Sequence, residues 1–259
     1  MKFKSIKFGP AGLGSVEEAV SNLEAYHEFG LKACEIAFTY GVYIKSEKDI
    51  KKIRNASENL GIKLSIHAPY FINLNSDDKK KIEASKKRIL DCCRVGEELG
   101  AYLVVFHPGF YGKMSKEETY ENLKKEIIEI REEIKKNKWK INIAAETTGK
   151  VNVFGSVEEI AQLVKDTGCS FVLDFAHILA REKKVDYKKI KKLFPGKSWH
   201  CHFSGIEYGE KGEKNHKKTE KKDWKELISN LPKDKEIVMI NESPYPVEDS
   251  VDGMSILKE

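Results

Sequence analysis

Histidines and carboxylates recur at one kind of place in this 259-residue chain, the ends of short β-branched runs. Lys-Leu-Ser-Ile ends in His67, and Tyr-Leu-Val-Val-Phe ends in His107. Ile-Asn-Ile-Ala-Ala ends in Glu146, and Ser-Phe-Val-Leu ends in Asp174, with His177 three residues on. Trp-His-Cys-His-Phe carries His200 and His202, and Ile-Val-Met-Ile-Asn ends in Glu242. Imidazole nitrogen with carboxylate oxygen suits zinc or manganese better than calcium or magnesium. A single histidine or acid at a strand end is ordinarily a hydrogen-bonded loop residue. A series arriving in register is different, because gathered carboxylates need cations to neutralise them. His200 and His202 share one strand parity, so both can face inward, one of them as a supporting group or a layer deeper. His27 has no such neighbours and reads as a surface residue.

The elements that must position these groups follow from the pattern. Strand-like segments are expected at 5–8, 33–38, 63–67, 102–107, 141–146, 170–174, 199–204 and 236–242. Helix-like segments are expected between them at 15–29, 46–60, 78–99, 116–136, 156–166, 186–193, 224–229 and 247–257. Ser15, Ser115 and Ser156, each with acids following, read as N-caps. Gly30, Gly61, Gly100 and Gly168 stand where a left-handed helix end is wanted. About eight strand–helix units with no linker imply one α/β domain over 1–259, a (β/α)₈ TIM barrel. In that architecture the strand ends converge on one face, where such folds keep their active sites.

Composition sets limits. Hydrophobic residues make up 40% of the chain, enough for one sizeable core. No apolar run approaches the ~20 residues of a membrane helix, and the amino terminus has no signal-peptide pattern. A soluble, intracellular (cytoplasmic) monomer is expected, with no membrane partner. Abundant Lys, Glu and Ile, with Gln162 the only glutamine, resembles a thermophilic prokaryote's usage. The net charge of +5 is compatible with a polyanionic partner without establishing one, since the lysines alternate with glutamates. Five cysteines with no Cys-x-x-Cys pair argue against a disulfide framework or a thiolate zinc site, and Cys34, Cys169 and Cys201 read as small buried hydrophobes.

Five segments together resemble a known family. Ser-Ile-His-Ala-Pro-Tyr-Phe-Ile-Asn-Leu, Val-Phe-His-Pro-Gly, Ala-Ala-Glu-Thr-Thr-Gly, Leu-Asp-Phe-Ala-His and Ile-Asn-Glu-Ser-Pro are similar to signature segments of endonuclease IV. That family, AP endonuclease family 2, has the xylose-isomerase-like TIM barrel. The resemblance implies a zinc-dependent apurinic/apyrimidinic endonuclease of base-excision repair with up to three Zn²⁺ ions, Mn²⁺ being a possible substitute. His67 and His107 would hold the first ion, with Glu146 bridging to the second. Asp174, His202 and Glu242 would complete the second, and His177 and His216 would hold the third. The family's Asp-x-His reads Lys214-Asn215-His216 here, so either Glu213 substitutes from one residue out of register or the third ion is weakly held.

The implied partner is double-stranded DNA with abasic sites. Glu146, the catalytic residue, would help position the hydroxide that cuts 5′ to the abasic sugar, leaving a 3′-hydroxyl. Tyr70 and Phe71 would enter the DNA stack; ordinary core packing is the competing reading of that pair. The stretches 40–45 and 211–222 are candidate backbone contacts, the second equally a solvated loop. The alternative function is a single-metal sugar isomerase or epimerase on the related barrel. Glu146, Asp174, His202 and Glu242 would serve it, leaving His67, His107, His177 and His216 without a job.

Overall fold

The computed structural model describes residues 3 and 5–258, so the termini of the expected 1–259 domain lie outside the described residues. Eight strands form one sheet: β1 (Ser5–Pro10), β2 (Ala33–Ala37), β3 (Lys63–His67), β4 (Leu103–Phe106), β5 (Asn142–Glu146), β6 (Ser170–Asp174), β7 (Ser198–Phe203) and β10 (Glu236–Asn241). Their order is β1-β10-β7-β6-β5-β4-β3-β2, and every pairing is parallel. Beyond β1, Ala11 bridges Glu35 and the Gly12 amide donates to the Glu35 carbonyl at 2.8 Å, which closes the sheet into a TIM barrel.

Helices α1 (Ala19–Glu28), α2 (Glu47–Leu60), α3 (Lys79–Leu99), α4 (Lys116–Lys136), α5 (Val157–Thr167), α6 (Phe175–Glu182), α7 (Tyr187–Leu193), α8 (Lys221–Asn230) and α9 (Pro246–Lys258) follow the strands. The stop and start signals act as their chemistry dictates. Ser115 and Ser156 each form a reciprocal capping box with Glu118 and Glu159. Ser15 instead closes a turn before α1, whose own N-cap is Glu18. Gly61, Gly100 and Gly168 end their helices at φ of 65°, 74° and 67°, where a Cβ would be strained.

Three features depart from the expected elements. Helix α6 begins at Phe175 directly after β6, so its apolar start continues the strand's pattern with no turn residue between. The stretch 211–222, expected as a loop or backbone contact, begins with the second strand of an antiparallel hairpin, β8 (Gly205–Gly209) and β9 (Gly212–Lys217), set apart from the barrel sheet. Strands β2, β4, β7 and β10 stop one residue short of the expected ends, leaving His107 and Glu242 as the first residues of loops.

Outward strand residues and the helices share one large apolar cluster that includes Ile36, Ile66, Phe106, Leu163 and Trp224. All five cysteines are buried and free. Inward residues follow a common parity fixed by the register: Glu146 pairs Val172, Val172 pairs His200, and Asp174 pairs His202. The barrel interior therefore ends in polar layers at the carboxyl ends of its strands. No helix among the described residues is long and apolar enough to cross a membrane.

Candidate metal centre

Glu146 is the hub. It is the last residue of β5 and wholly buried. Its Oε2 lies 3.1 Å from His67 Nε2 and 3.2 Å from His107 Nε2. Its Oε1 lies 3.1 Å from His177 Nδ1 and 3.4 Å from His202 Nδ1. His202 Nδ1 is also 3.4 Å from Glu242 Oε1. All eight sequence-predicted ligands thus meet at one mouth of the barrel, in three groups. These are His67, His107 and Glu146; Glu146, Asp174, His202 and Glu242; and His177, His216 and Glu213, each with potential ligand atoms within 4.8 Å of one another.

The local structure aims the lone pairs. Nδ1 of His67 is 2.7 Å from the Ala68 carbonyl, Nδ1 of His177 is 3.0 Å from the Thr147 carbonyl, and Nδ1 of His216 is 2.7 Å from Ser204 Oγ. A proton held on each Nδ1 leaves each Nε2 as the donor atom toward its group. Asp174 divides its carboxylate similarly. Oδ1 caps α6 by accepting from the His177 amide at 2.7 Å, which frees Oδ2 for the cluster. Among the described residues, buried polar atoms lacking a hydrogen bond gather here: His107 Nε2, Glu146 Oε1, Asp174 Oδ2 and both ring nitrogens of His202. Orphaned donors and acceptors at such density are costly unless a cation completes them, so the residues fit a divalent metal centre.

The charges point the same way. Burial alone would raise the carboxyl of Glu146, but the positive charge of His107 and His202 outweighs it and holds the group well below its ordinary range. Glu242 is likewise pushed down to about 2 despite burial, chiefly by His202. Burial opposes charge on His67, yet Glu146 raises it to about 9. Asp174 is raised to about 6, mainly by burial. Protons on imidazoles occupy the role a cation would take, and metal binding would release them.

The break in the family pattern at Lys214 has a structural resolution. Strand β9 pairs Tyr208 with Glu213 and Glu207 with Asn215, so Lys214 is the extra residue of a β-bulge. Residues three apart on a regular strand face opposite ways; a bulge between them restores a common face. Glu213 and His216 therefore point together, with Glu213 Oε2 at 3.5 Å from His177 Nε2 and Oε1 at 3.9 Å from His216 Nε2. Lys214 is exposed. A Cβ on Gly149 would come within 2.7 Å of Glu213, so only glycine lets the hairpin seat against the loop after β5.

Glu35 escaped sequence reasoning. It lies mid-strand in β2, fully buried, with Oε1 3.0 Å from His202 Nε2 and Oε2 3.0 Å from His200 Nε2. The signal was an acid within the otherwise apolar Ala-Cys-Glu-Ile-Ala. Tyr70 and Phe71 are not core residues, being 52% and 49% exposed. The Tyr70 ring is 5.2 Å from that of His67, and the Arg88 guanidinium lies 4.8 Å over Phe71. His27 is an exposed residue of α1, as expected.

The ligand groups open into a cavity of about 360 Å³ lined by His67, Tyr70, His107, His177, Glu213 and Glu242 among others. Residues 23–259 match the family described as xylose isomerase-like TIM barrel. The chain belongs to that family. The chain is 36% identical over 222 residues to an uncharacterized protein of Methanocaldococcus jannaschii, covering 81% of this chain and 80% of that one. It is 28% identical over 127 residues to a probable endonuclease 4 of Aquifex aeolicus, covering 48% of this chain and 45% of the relative. Endonuclease IV from Thermus thermophilus superposes with a TM-score of 0.72 at 19% identity, covering 98% and 97% of the two chains. D-psicose 3-epimerase from Clostridium cellulolyticum does so with a TM-score of 0.68 at 14% identity, covering 100% and 97%. At these identities the superpositions speak to fold, and both functions stand among the neighbours.

Proposed function

We propose that this protein is a zinc-dependent phosphodiesterase that cuts duplex DNA 5′ to abasic sites. The observation that carries this reading is the threefold ligand set around Glu146. A one-metal sugar epimerase would use Glu146, Asp174, His202 and Glu242 alone. It would leave His67, His107 and the His177, Glu213, His216 group without a role, although each is built with its Nε2 or carboxylate aimed inward.

Bound zinc would supply Lewis acidity toward a phosphate and lower the pKa of water to near neutrality. His67, His107 and Glu146 would hold one ion, Glu146, Asp174, His202 and Glu242 a second, and His177, His216 and Glu213 a third. Glu146, with one oxygen toward each of the first two groups, would fix their separation. Manganese fits the same donors.

The rim favours a polymer. Tyr40, Tyr70, Phe71, Phe110, Val151, Tyr208 and Tyr245 are exposed large apolar residues, all on loops or the hairpin at the carboxyl ends of the strands. Exposed rings around the mouth of a polar pocket are costly in water and suit stacking against bases or filling the gap of a missing one. Tyr70 and Phe71, beside the mouth, are the residues assigned to that gap.

The test is a duplex oligonucleotide with one tetrahydrofuran site, incubated with metal-loaded protein, with chelator, and beside an intact duplex and ketohexose substrates. Chelator-sensitive incision at the tetrahydrofuran, with about three zinc ions per chain, is the expected result. Ketohexose epimerisation with a single ion and no incision would replace this reading with the epimerase one.

A further inference from the structure

Beneath the metal centre a chain of buried polar side chains runs along the barrel axis. The Tyr102 hydroxyl donates to His200 Nδ1 at 2.5 Å, and His200 Nε2 donates to Glu35 Oε2 at 3.0 Å. Ser65 Oγ donates to that same Oε2 at 2.7 Å. The other oxygen of Glu35, Oε1, faces His202 Nε2 at 3.0 Å, and neither of these two atoms has an aligned hydrogen bond. The His202 ring thus has Glu35 on its Nε2 edge and Glu146 with Glu242 on its Nδ1 edge.

Glu35, His200 and His202 lie close enough together to be read as ligands of an ion of their own. One proton per neutral imidazole argues otherwise. If His202 gave Nδ1 to the centre above and Nε2 to an ion below, it would have to lose both protons. His200 and Ser65 already engage Glu35 Oε2 as donors, which is the environment of an acceptor carboxylate fixed in place.

We propose that Glu35 is a positioning residue for the metal centre: it accepts a hydrogen bond from the Nε2–H of His202 and so fixes the tautomer and ring orientation that present Nδ1 to the ion held with Glu146, Asp174 and Glu242. His200, Ser65 and Tyr102 hold Glu35 for that task. This rests on the metal reading above and adds to it a carboxylate–histidine–metal arrangement whose carboxylate comes from a different strand, β2. Outer carboxylates of this kind typically change metal affinity by roughly 10–100-fold.

The experiment measures zinc affinity by chelator competition, and Co²⁺ absorption, for the wild type and for Glu35→Gln, Glu35→Asp and Tyr102→Phe, with folding checked by circular dichroism. Glu35→Gln should weaken the His202 ion by roughly 10–100-fold and shift its cobalt bands, with full stoichiometry at saturating metal. Glu35→Asp should recover part of the loss, and Tyr102→Phe should cost a few-fold. Wild-type affinity and spectrum in folded Glu35→Gln would overturn the proposal. So would one fewer ion per chain with the rest unaltered, since Glu35 would then be a ligand. Should Glu35→Gln fail to fold, ¹⁵N imidazole correlation spectra of zinc-loaded wild type decide: a His202 proton on Nε2 is expected, and one on Nδ1 overturns it. A wild type that binds no metal would instead overturn the metal reading, and this inference with it.

Discussion

The two mouths of the barrel enclose cavities of similar size, about 440 Å³ at the amino ends of the strands and about 360 Å³ at the carboxyl ends. The larger is lined by Ser5, Lys7, Lys63, Ser170, Ser198 and Glu236 among others, scattered polar residues at strand starts. There Lys63 settles over the Tyr102 ring at 3.7 Å, and its charge is discouraged first by burial and then by Lys7. The smaller draws imidazoles and carboxylates from six strands and the hairpin onto one carboxylate. Volume does not mark the site; convergence of mutually dependent charges does.

The sharpest way to break this contrast is one substitution at each end. Glu146→Gln should slow incision of abasic duplex by more than about 100-fold, roughly 3 kcal/mol of barrier, while DNA binding persists. Lys7→Met at the other mouth should stay within about twofold in the same single-turnover assay. Comparable losses would mean that both ends serve the reaction.

Next in size is the rim. Tyr70→Ala with Phe71→Ala should weaken abasic-duplex binding by about 10-fold or more, at roughly 1–3 kcal/mol per stacking contact, without altering zinc content. Fluorescence anisotropy beside metal analysis checks both halves. A loss of zinc would show these rings to be props of the centre.

The hairpin sharpens the contrast within the ligand-bearing mouth. His216→Ala and Glu213→Gln should each lower zinc by about one ion under mild chelation. Lys214→Asp, which would restore the family's residue type, should change nothing, because the bulge turns that side chain to solvent. Zinc counting by native mass spectrometry distinguishes the three, and a gain in Lys214→Asp would contradict the bulge.

The smallest effect concerns the loop that seats the hairpin. Ser156→Ala removes half of a capping box and should cost about 1 kcal/mol, a few degrees in Tm. Its partner Glu159 is held below its ordinary range: burial would raise it, but the Tyr111 hydroxyl and the Ser156 and Gly155 amides outweigh that. A depressed carboxyl stabilises the fold above its unfolded value of 4.5 and ceases to do so as pH falls through the lower folded value. Urea titrations from pH 7 to pH 3 should show that part of the acid sensitivity kept in Ser156→Ala, whose backbone amides still donate to the carboxylate, and lost in Glu159→Gln.

Much of this was legible in sequence because parallel strands are buried on both faces. A His, Asp or Glu closing an apolar run must then either find partners or leave the barrel, so His67, Glu146 and Asp174 announced the converging face. Glu35 was hidden for the same reason: inside a five-residue strand it ends nothing, and only its partnership with His200, 165 positions away, explains it. Helix α6 was lost for want of a turn residue before it. The hairpin was lost because β8, Gly-Ile-Glu-Tyr-Gly, is short and bounded by glycines, and β9, Gly-Glu-Lys-Asn-His-Lys, has no apolar alternation and looks like solvated loop. Where the spacing of Glu213 and His216 looked like a missing ligand, pairing across the hairpin was the information lacking, and no local pattern carries it.

That bulge has a consequence for how such a site changes over generations. Inserting one residue into a barrel strand would throw every later side chain onto the wrong face and dismantle the core. Strands β8 and β9 form a separate two-stranded sheet, so an insertion there costs one unpaired residue and is absorbed locally. A ligand pair spaced i, i+2 and another spaced i, i+3 are then neighbours in mutational space, one insertion apart. The geometry at this rim demands only the side of the ribbon from which the two groups hang, and leaves their distance along the chain open.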